Sequence, residues 1–231
     1  MEKFLTYFCI FFTYSVIGWV IESTLVSIHE KKIINRGFLI GPYCPIYGYG
    51  SLVMILYLDQ YKNNIVTVFF LAIIICSILE YLTSYLMEKL FKARWWDYSE
   101  NKFNLNGRIC GKNACLFGIG GVIIIYLVHP FLNSIAKLLN QNLFNILNII
   151  FLIIFLTDTI ISLNIVNKFK NTVSNIELRK DSSQDFSKLV KDTLFKNHQI
   201  FQKRLLSAFP NVDLKEFTKL KEKWKKATKN K

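Results

Sequence analysis

The residues best placed to do chemistry in this 231-residue chain are acids that interrupt long apolar stretches, namely Glu22, Glu80 and Asp158. An acid at the centre of a bilayer costs about 2.5–3.5 kcal/mol on insertion scales, so such a residue usually faces a partner, a ligand or water. Glu80, Ser84 and Glu88 are spaced four residues apart. This spacing predicts a polar stripe along one face of a helix.

Basic partners for these acids stand nearby in the chain. Arg36 follows the first apolar stretch, and Arg94, Asp97 and Arg108 lie between the third and the fourth. The planar guanidinium group pairs well with carboxylates and phosphates. We predict that Glu80 and at least one of these arginines belong to one buried polar cluster. Two interpretations stay open: a polar cavity that opens to the cytoplasm and binds a polar or charged substrate, or an ion-pair network that fastens two loops to the bundle.

Other kinds of site find little support in the sequence. His29, His129 and His198 are scattered, and no nucleophile–base arrangement is visible. Cys110 and Cys115 have no companion pair, so neither a metal site nor a cofactor is predicted. Residues 107–113 read GRICGKN, which is similar to a phosphate-binding loop but lacks its first glycine and its final hydroxyl residue. We therefore predict no ATP site in this chain.

The elements that must carry these residues are membrane helices. The chain is 52% hydrophobic, and its uncharged stretches approach the roughly 20 residues that cross about 30 Å of hydrocarbon. We predict an all-α, polytopic membrane helix bundle with about five spans, near residues 4–27, 38–58, 66–90, 113–130 and 143–166. Pro42 and Pro45 interrupt the second span. It is either broken or re-entrant inside the bundle, or a loop that ends near Pro45 and leads into a short helix.

Charge predicts the orientation and the domains. Residues 168–231 hold 17 Lys and Arg against 7 Asp and Glu, and the loops 28–37 and 89–112 are also basic. The positive-inside rule then predicts a multi-pass protein of the cell membrane with its N-terminus outside and its C-terminus in the cytoplasm. We predict a membrane domain over 1–167 and a basic helical tail over 168–231. The tail is expected to meet anionic lipid and no nucleic acid.

Within the tail, residues 168–183 read as a polar linker and residues 184–208 as an amphipathic helix, with a second helix beginning at Asp213. Two aromatic and glycine motifs lie in the membrane domain. Trp95, Trp96 and Tyr98 in RWWDYS are predicted to be interfacial anchors, with a stacking wall for a ligand as the alternative. The glycines of FGIGG, residues 117–121, predict close helix packing.

These motifs together resemble a known family. They are GWVIE (18–22), NRGFLIGPYCPIYGYG (35–50), E-x3-S-x3-E (80–88), RWWDYS (94–99), FNLNGRIC (103–110) and FGIGG (117–121). Over about residues 1–165 the chain resembles the bacterial ABC transporter type IV permease family, often labelled CmpB. The resemblance implies a membrane transport component whose partner is a separate ATPase or another membrane subunit. It carries no substrate and no site residue with it.

Two other functions stay open on the sequence. One is a membrane-embedded enzyme that acts on a lipid or lipid-linked head group, with Glu22, Glu80 or Asp97 as acid or base. The other is a scaffold or regulatory membrane subunit that has no site.

Overall fold

The structure, a computed structural model, describes the backbone of residues 2–91, 93–178 and 213–214. Its elements in chain order are α1 (Glu2–Glu30), α2 (Pro45–Leu58), a 3₁₀ turn (Asp59–Tyr61), α3 (Ile65–Phe91), β1 (Ala93–Arg94), α4 (Gly111–Ile123), a π-helical segment (Ile124–Val128), α5 (His129–Ala136), α6 (Gln141–Leu178) and β2 (Asp213–Leu214). The two short strands pair antiparallel, with Ala93 opposite Leu214.

Four helical stretches in the described residues are long and apolar enough to cross a membrane. They are Glu2–Glu30, Ile65–Phe91, Gly111–Ala136 and Gln141–Asn167. They agree with the first, third, fourth and fifth spans that the apolar stretches predict. The all-α, polytopic architecture is therefore confirmed.

The second predicted span is shorter than expected. Residues 31–44 are irregular, and α2 has only 14 residues, about 21 Å of helix. Pro45 stands in the first turn of α2, where its missing N–H costs no hydrogen bond. Pro42 and Pro45 thus move the start of this helix from the predicted residue 38 to residue 45, which matches the interpretation of a loop followed by a short helix.

The segments that connect the spans lie at two ends of the bundle. We call the end that carries residues 31–44 and 93–110 the basic end, and the end that carries residues 59–64 and 137–140 the turn end. At the turn end the Tyr126 hydroxyl donates to the Lys62 carbonyl at 2.7 Å. At the basic end Trp95 packs with Val166. The candidate site residues all lie toward the basic end.

One face of α1 holds the chain as it turns back toward α2. Three side chains spaced four residues apart each bind one residue of the returning segment. Trp19 Nε1 donates to Asn35 Oδ1 at 2.7 Å, while Ser23 Oγ and Ser27 Oγ accept from the backbone N–H groups of Arg36 and Ile34 at 3.1 and 2.9 Å. This register brings Arg36 back beside α1.

The core lies between α1, α2, α3 and α4. Val68 and Ala72 of α3 are fully buried, and Leu58 of α2 is 1% exposed. Side chains on Gly118 and Gly121 of α4 would overlap Phe69 and Ala72 of α3. These two glycines therefore make the close helix packing that FGIGG predicts.

A π-helical segment interrupts the fourth span at Ile124–Val128. Pro130 follows immediately, in the first turn of α5. A proline inside a helix has no N–H to donate and crowds the carbonyl four residues earlier, so the local hydrogen-bond ladder shifts. The helical path nevertheless continues to Ala136, past the predicted end of the span at residue 130.

The structure corrects the prediction that both tryptophans of RWWDYS are interfacial anchors. Trp95 is 6% exposed and packs with Val166 and Phe38, with 5.4 Å between the Trp95 and Phe38 ring centroids. Trp96 is half-buried, and its Nε1 donates to the Arg108 carbonyl at 3.2 Å. These rings pack the loop onto the bundle and do not form an exposed aromatic belt.

The described parts of the tail, residues 168–178 and 213–214, differ from the predicted secondary structure. The backbone of α6 continues to Leu178, so residues 168–178 are helical and not a linker. Asp213 and Leu214 form β2 at the place where the sequence predicts the start of a helix. The predicted helix over 184–208 lies outside the described residues, and the domain boundary at 167 stays a prediction.

Candidate functional site

Glu88 is the centre of a buried ion-pair group at the basic end, which we call the Glu88 cluster (Ser84, Glu88, Arg94 and Arg108). Glu88 Oε2 lies 3.2 Å from Arg94 Nε and 3.0 Å from Arg108 Nη2, and the three side chains are 9–12% exposed. Arg108 Nη1 also donates to Ser84 Oγ at 3.1 Å. Because Ser84 and Glu88 lie one turn apart on α3, Arg108 spans both positions of the predicted stripe.

Aromatic rings complete the surroundings of Arg108. Its guanidinium carbon lies 5.6 Å from the centroid of the Tyr81 ring and 5.5 Å from that of Tyr85. Cation–π contacts of this kind contribute about 0.5–2 kcal/mol each, and more when water is excluded. The Arg108 guanidinium group therefore contacts four side chains of α3, namely Tyr81, Ser84, Tyr85 and Glu88.

Asp97 fixes the loop that carries these arginines. Its Oδ1 accepts from Ser99 N at 3.0 Å and Ser99 Oγ at 2.6 Å and lies 3.3 Å from Arg94 Nη1. Partial burial opposes ionisation, but the Ser99 donors and the Arg94 guanidinium outweigh it and lower the pKa of Asp97. Gly107 passes close by with φ +66°, and a Cβ there would overlap the Asp97 carboxylate. The loop therefore needs glycine at this position.

Glu22 belongs to a second group of contacts, on α1. It accepts a short hydrogen bond from the Tyr47 hydroxyl of α2 and lies 3.7 Å from Arg36 Nε, with side chains 31% and 23% exposed for Glu22 and Arg36. Gly18, one turn before Glu22, leaves the space that the Tyr47 ring occupies. Because Gly18 and Glu22 lie one turn apart on α1, a Tyr47 ring packed against Gly18 places its hydroxyl at the Glu22 carboxylate.

Among the described residues no arginine lies within 4.0 Å of Glu80. Arg36 lies beside Glu22, whose charge acts on Glu80, so a shared cluster of Glu80 with an arginine stays a prediction. Glu80 is 7% exposed, and its Oε1 accepts from the Tyr98 hydroxyl at 3.1 Å. In the described part of the chain, Oε2 has no hydrogen-bond partner, and no cation lies within 4.0 Å of the carboxylate. The arginines instead bind Glu88, two turns further along α3.

Electrostatic interactions connect Glu22, Tyr47, Glu80 and Tyr98, which we call together the Glu22–Glu80 site. These side chains come from α1, α2, α3 and the loop 95–110. Burial first, and then the Glu80 carboxylate, raise the pKa of Tyr98, so its hydroxyl keeps its proton and donates. Asn113, in the first helical turn of α4, is a further neighbour of Glu80.

The sequence predicts that Asp158 is an acid inside a span, but it does not predict the partners of this carboxylate. Its carboxylate accepts from Ile40 N at 3.1 Å, Gly41 N at 2.7 Å, the Ser162 hydroxyl at 2.8 Å and the hydroxyl of Tyr43. Asp158 is 9% exposed. The four-residue spacing of Asp158 and Ser162 predicts that they share a face of α6. Which groups they bind depends on the path of residues 31–44, which the spacing does not predict. Asp158 ties this irregular segment to α6.

Within the residues that the structure describes, His, Cys, Asp and Glu form no group of three or more that could hold a metal ion. Cys110 is buried, and Cys115, which follows it in the chain, is exposed.

A family model described as "Putative ABC-transporter type IV" matches residues 9–163, which is more than half of the chain. The chain belongs to this family. Neither the curated proteins nor the solved structures gave a match.

Membership of this ABC transporter type IV family agrees with the resemblance that the motifs carry and with the four apolar helices. The chain is thus a multi-pass membrane protein of a family named for ABC transport. Glu22, Tyr47, Glu80 and Tyr98 all lie in the matched region, as do Arg36, Ser84, Glu88, Arg94, Asp97 and Arg108.

Proposed function

We propose that the chain is a permease-type membrane component of an ATP-driven transporter, and that the Glu22–Glu80 site binds a polar or charged substrate. The observation that carries this proposal is the convergence of two tyrosine–carboxylate pairs from four elements inside an apolar bundle. A separate ATPase would supply the energy, since this chain offers no phosphate-binding loop.

The two interpretations of the acidic residues apply to different groups of side chains. The Glu88 cluster and Asp158 have full sets of partners at hydrogen-bonding distance, as expected for contacts that fasten two loops to the bundle. Glu80 is equally buried but keeps an oxygen without a hydrogen bond in the described residues. Incomplete pairing of a buried acid is typical of a site that awaits a ligand.

The positive-inside rule supports a cytoplasmic opening for this site. Lys31, Lys32, Arg36 and the lysines at 89, 102 and 112 lie at or near the basic end, against Lys3, Lys62 and Lys137 at the turn end. With this orientation the N-terminus is outside and the tail is cytoplasmic, next to anionic lipid. The Glu22–Glu80 site then belongs to a polar cavity that faces the cytoplasm.

The partner can be tested by purifying the tagged chain from its native membrane in mild detergent and recording native mass spectra. We expect a complex with an ATPase subunit, together with a small molecule that is lost on Glu80→Gln and kept on Glu30→Gln. Glu30 is a matched control because it lies at the exposed end of α1. A chain that carries neither an ATPase nor a small molecule would support the scaffold alternative instead.

A further inference from the structure

We infer that the Glu22–Glu80 site accepts a primary ammonium group of the transported solute. The inference rests on the proposed function and names the chemical class of its substrate. It starts from the distribution of charge at the basic end.

The carboxylates at the basic end differ in how many cations and hydrogen-bond donors they meet. Glu88 takes two guanidinium groups, and Arg94 is shared further with Asp97. Asp158 takes two backbone amides and two hydroxyls. Glu22 Oε2 lies 3.7 Å from Arg36 Nε. Negative charge on Glu80 meets the neutral donors Tyr98 and Asn113, and no cation lies within 4.0 Å of it among the described residues.

The two carboxylates of the site also interact with each other. Glu22 and Glu80 are close enough for their charges to repel. Repulsion between two nearby carboxylates is relieved when a proton or another cation binds to them. Glu80 Oε2 is the free acceptor for such a cation, because it is buried and has no hydrogen-bond partner in the described part of the chain.

The chemistry of the donors and acceptors favours an ammonium group over a divalent metal. A calcium ion needs six to eight oxygen ligands and magnesium a near-octahedral shell, whereas the acids of this site do not form a metal-binding group of three. An ammonium group carries three N–H donors and needs only three acceptors. Glu80 Oε2, Glu22 and the lone pairs of the Tyr47 or Tyr98 hydroxyl provide them, and the tyrosine rings add attraction for a cation.

The test uses the purified full chain in detergent, with methylammonium chloride as the probe and tetramethylammonium chloride at equal ionic strength as the comparison. Tetramethylammonium has the same charge but no N–H donor. We expect methylammonium to raise the midpoint of thermal unfolding in a saturable way. We also expect it to produce an infrared difference band from a carboxylate, with no saturable response to tetramethylammonium.

Glu80→Gln should weaken the methylammonium response on the order of tenfold or more and remove the infrared band. Glu30→Gln should keep both. If Glu80→Gln does not fold, Glu80→Asp keeps the charge, and its shifted band identifies the residue. Equal responses to the two probes, or an unchanged response in Glu80→Gln, would overturn the inference. An ATPase that co-purifies without any ammonium effect would overturn this inference alone, while ammonium binding without an ATPase would overturn the proposed transporter role alone.

Discussion

Two glutamates on one face of α3 have opposite surroundings. Glu88 lies between two arginines, whereas Glu80, two turns earlier, meets a tyrosine hydroxyl. Removing one member of a buried ion pair is costly because the other charge is left without compensation. The two positions should therefore respond differently to the same substitution.

We expect Glu88→Gln to destabilise the protein by about 3–5 kcal/mol, because Arg94 and Arg108 would lose their shared carboxylate. Glu80→Gln should leave stability unchanged or raise it, since it removes a charge that has no cation beside it in the described residues. The measurement is the temperature at which each variant in detergent loses its monodisperse peak on size exclusion.

The same variants allow a double-mutant cycle. Glu88→Gln combined with Arg108→Gln should recover part of the loss, because neither charge is then left alone. Glu80→Gln combined with Arg108→Gln should be additive within about 0.3–0.5 kcal/mol. If Glu80 and Arg108 show as much coupling energy as Glu88 and Arg108, Arg108 does not pair selectively with Glu88.

Asp158 provides a second prediction at this scale. Asp158→Ala would leave the Gly41 amide and the Tyr43 hydroxyl without their acceptor and the Ile40 amide with only its weaker bond to Ser162 Oγ at 3.2 Å. Each buried unsatisfied group costs about 1–3 kcal/mol. We expect faster hydrogen exchange at residues 40 and 41 and lower thermal stability. Thr157→Ala is the control, since Thr157 is exposed and bonds only within its own helix turn. Protection at residues 40 and 41 that survives in Asp158→Ala would contradict the role given to this carboxylate.

Spacing along α3 was enough to predict that Glu80, Ser84 and Glu88 share one face. It could not predict which of them meets an arginine, because that depends on how the loop 95–110 folds back. The left-handed backbone at Gly107 and the hydrogen bonds to Asp97 set that path. Neither feature has a helical period that a sequence pattern could reveal.

At the scale of elements, the contact of α1 with α2 determines the geometry of the site. Tyr47 reaches Glu22 only because Gly18 has no side chain. Apolar length predicted four spans well, since the bilayer sets their length. Apolar length alone began the second span too early, at residue 38, whereas the two prolines indicated a loop that leads into a short helix near Pro45. The burial of Trp95 was not predicted, because tryptophan suits both an interface and a packed loop.

We expect Gly18→Ala to displace the Tyr47 ring and to destabilise the protein by about 1–3 kcal/mol through overpacking. Gly120→Ala, in another helix of the bundle, is a matched control because nothing lies within 4 Å of a Cβ at that position. Thermal unfolding of both variants gives the comparison. Equal stability of Gly18→Ala and Gly120→Ala would mean that α1 and α2 are not in close contact at Gly18.

For the whole molecule, the division at residue 167 makes a further prediction. Val166 is 2% exposed and packs with Trp95, so a chain that ends after Asn167 keeps this contact with the loop and loses the two-residue pairing of β1 with β2. We expect truncation after Asn167 to leave expression and detergent stability nearly unchanged. Truncation after Leu163 removes Val166 and should lower stability. Aggregation of the chain truncated after Asn167 would show that the tail is part of the folded core.

The orientation of the bundle decides whether the Glu22–Glu80 site opens to the cytoplasm. Single cysteines can be placed by Gln60→Cys at the turn end and Glu100→Cys at the basic end, in a chain whose five native cysteines have been replaced. Both positions are exposed in the structure. With a membrane-impermeant thiol reagent on intact cells, we predict labelling of Gln60→Cys, and labelling of Glu100→Cys only after the membrane is opened. Labelling of Glu100→Cys in intact cells would place the site on the outside and contradict the proposed cytoplasmic opening.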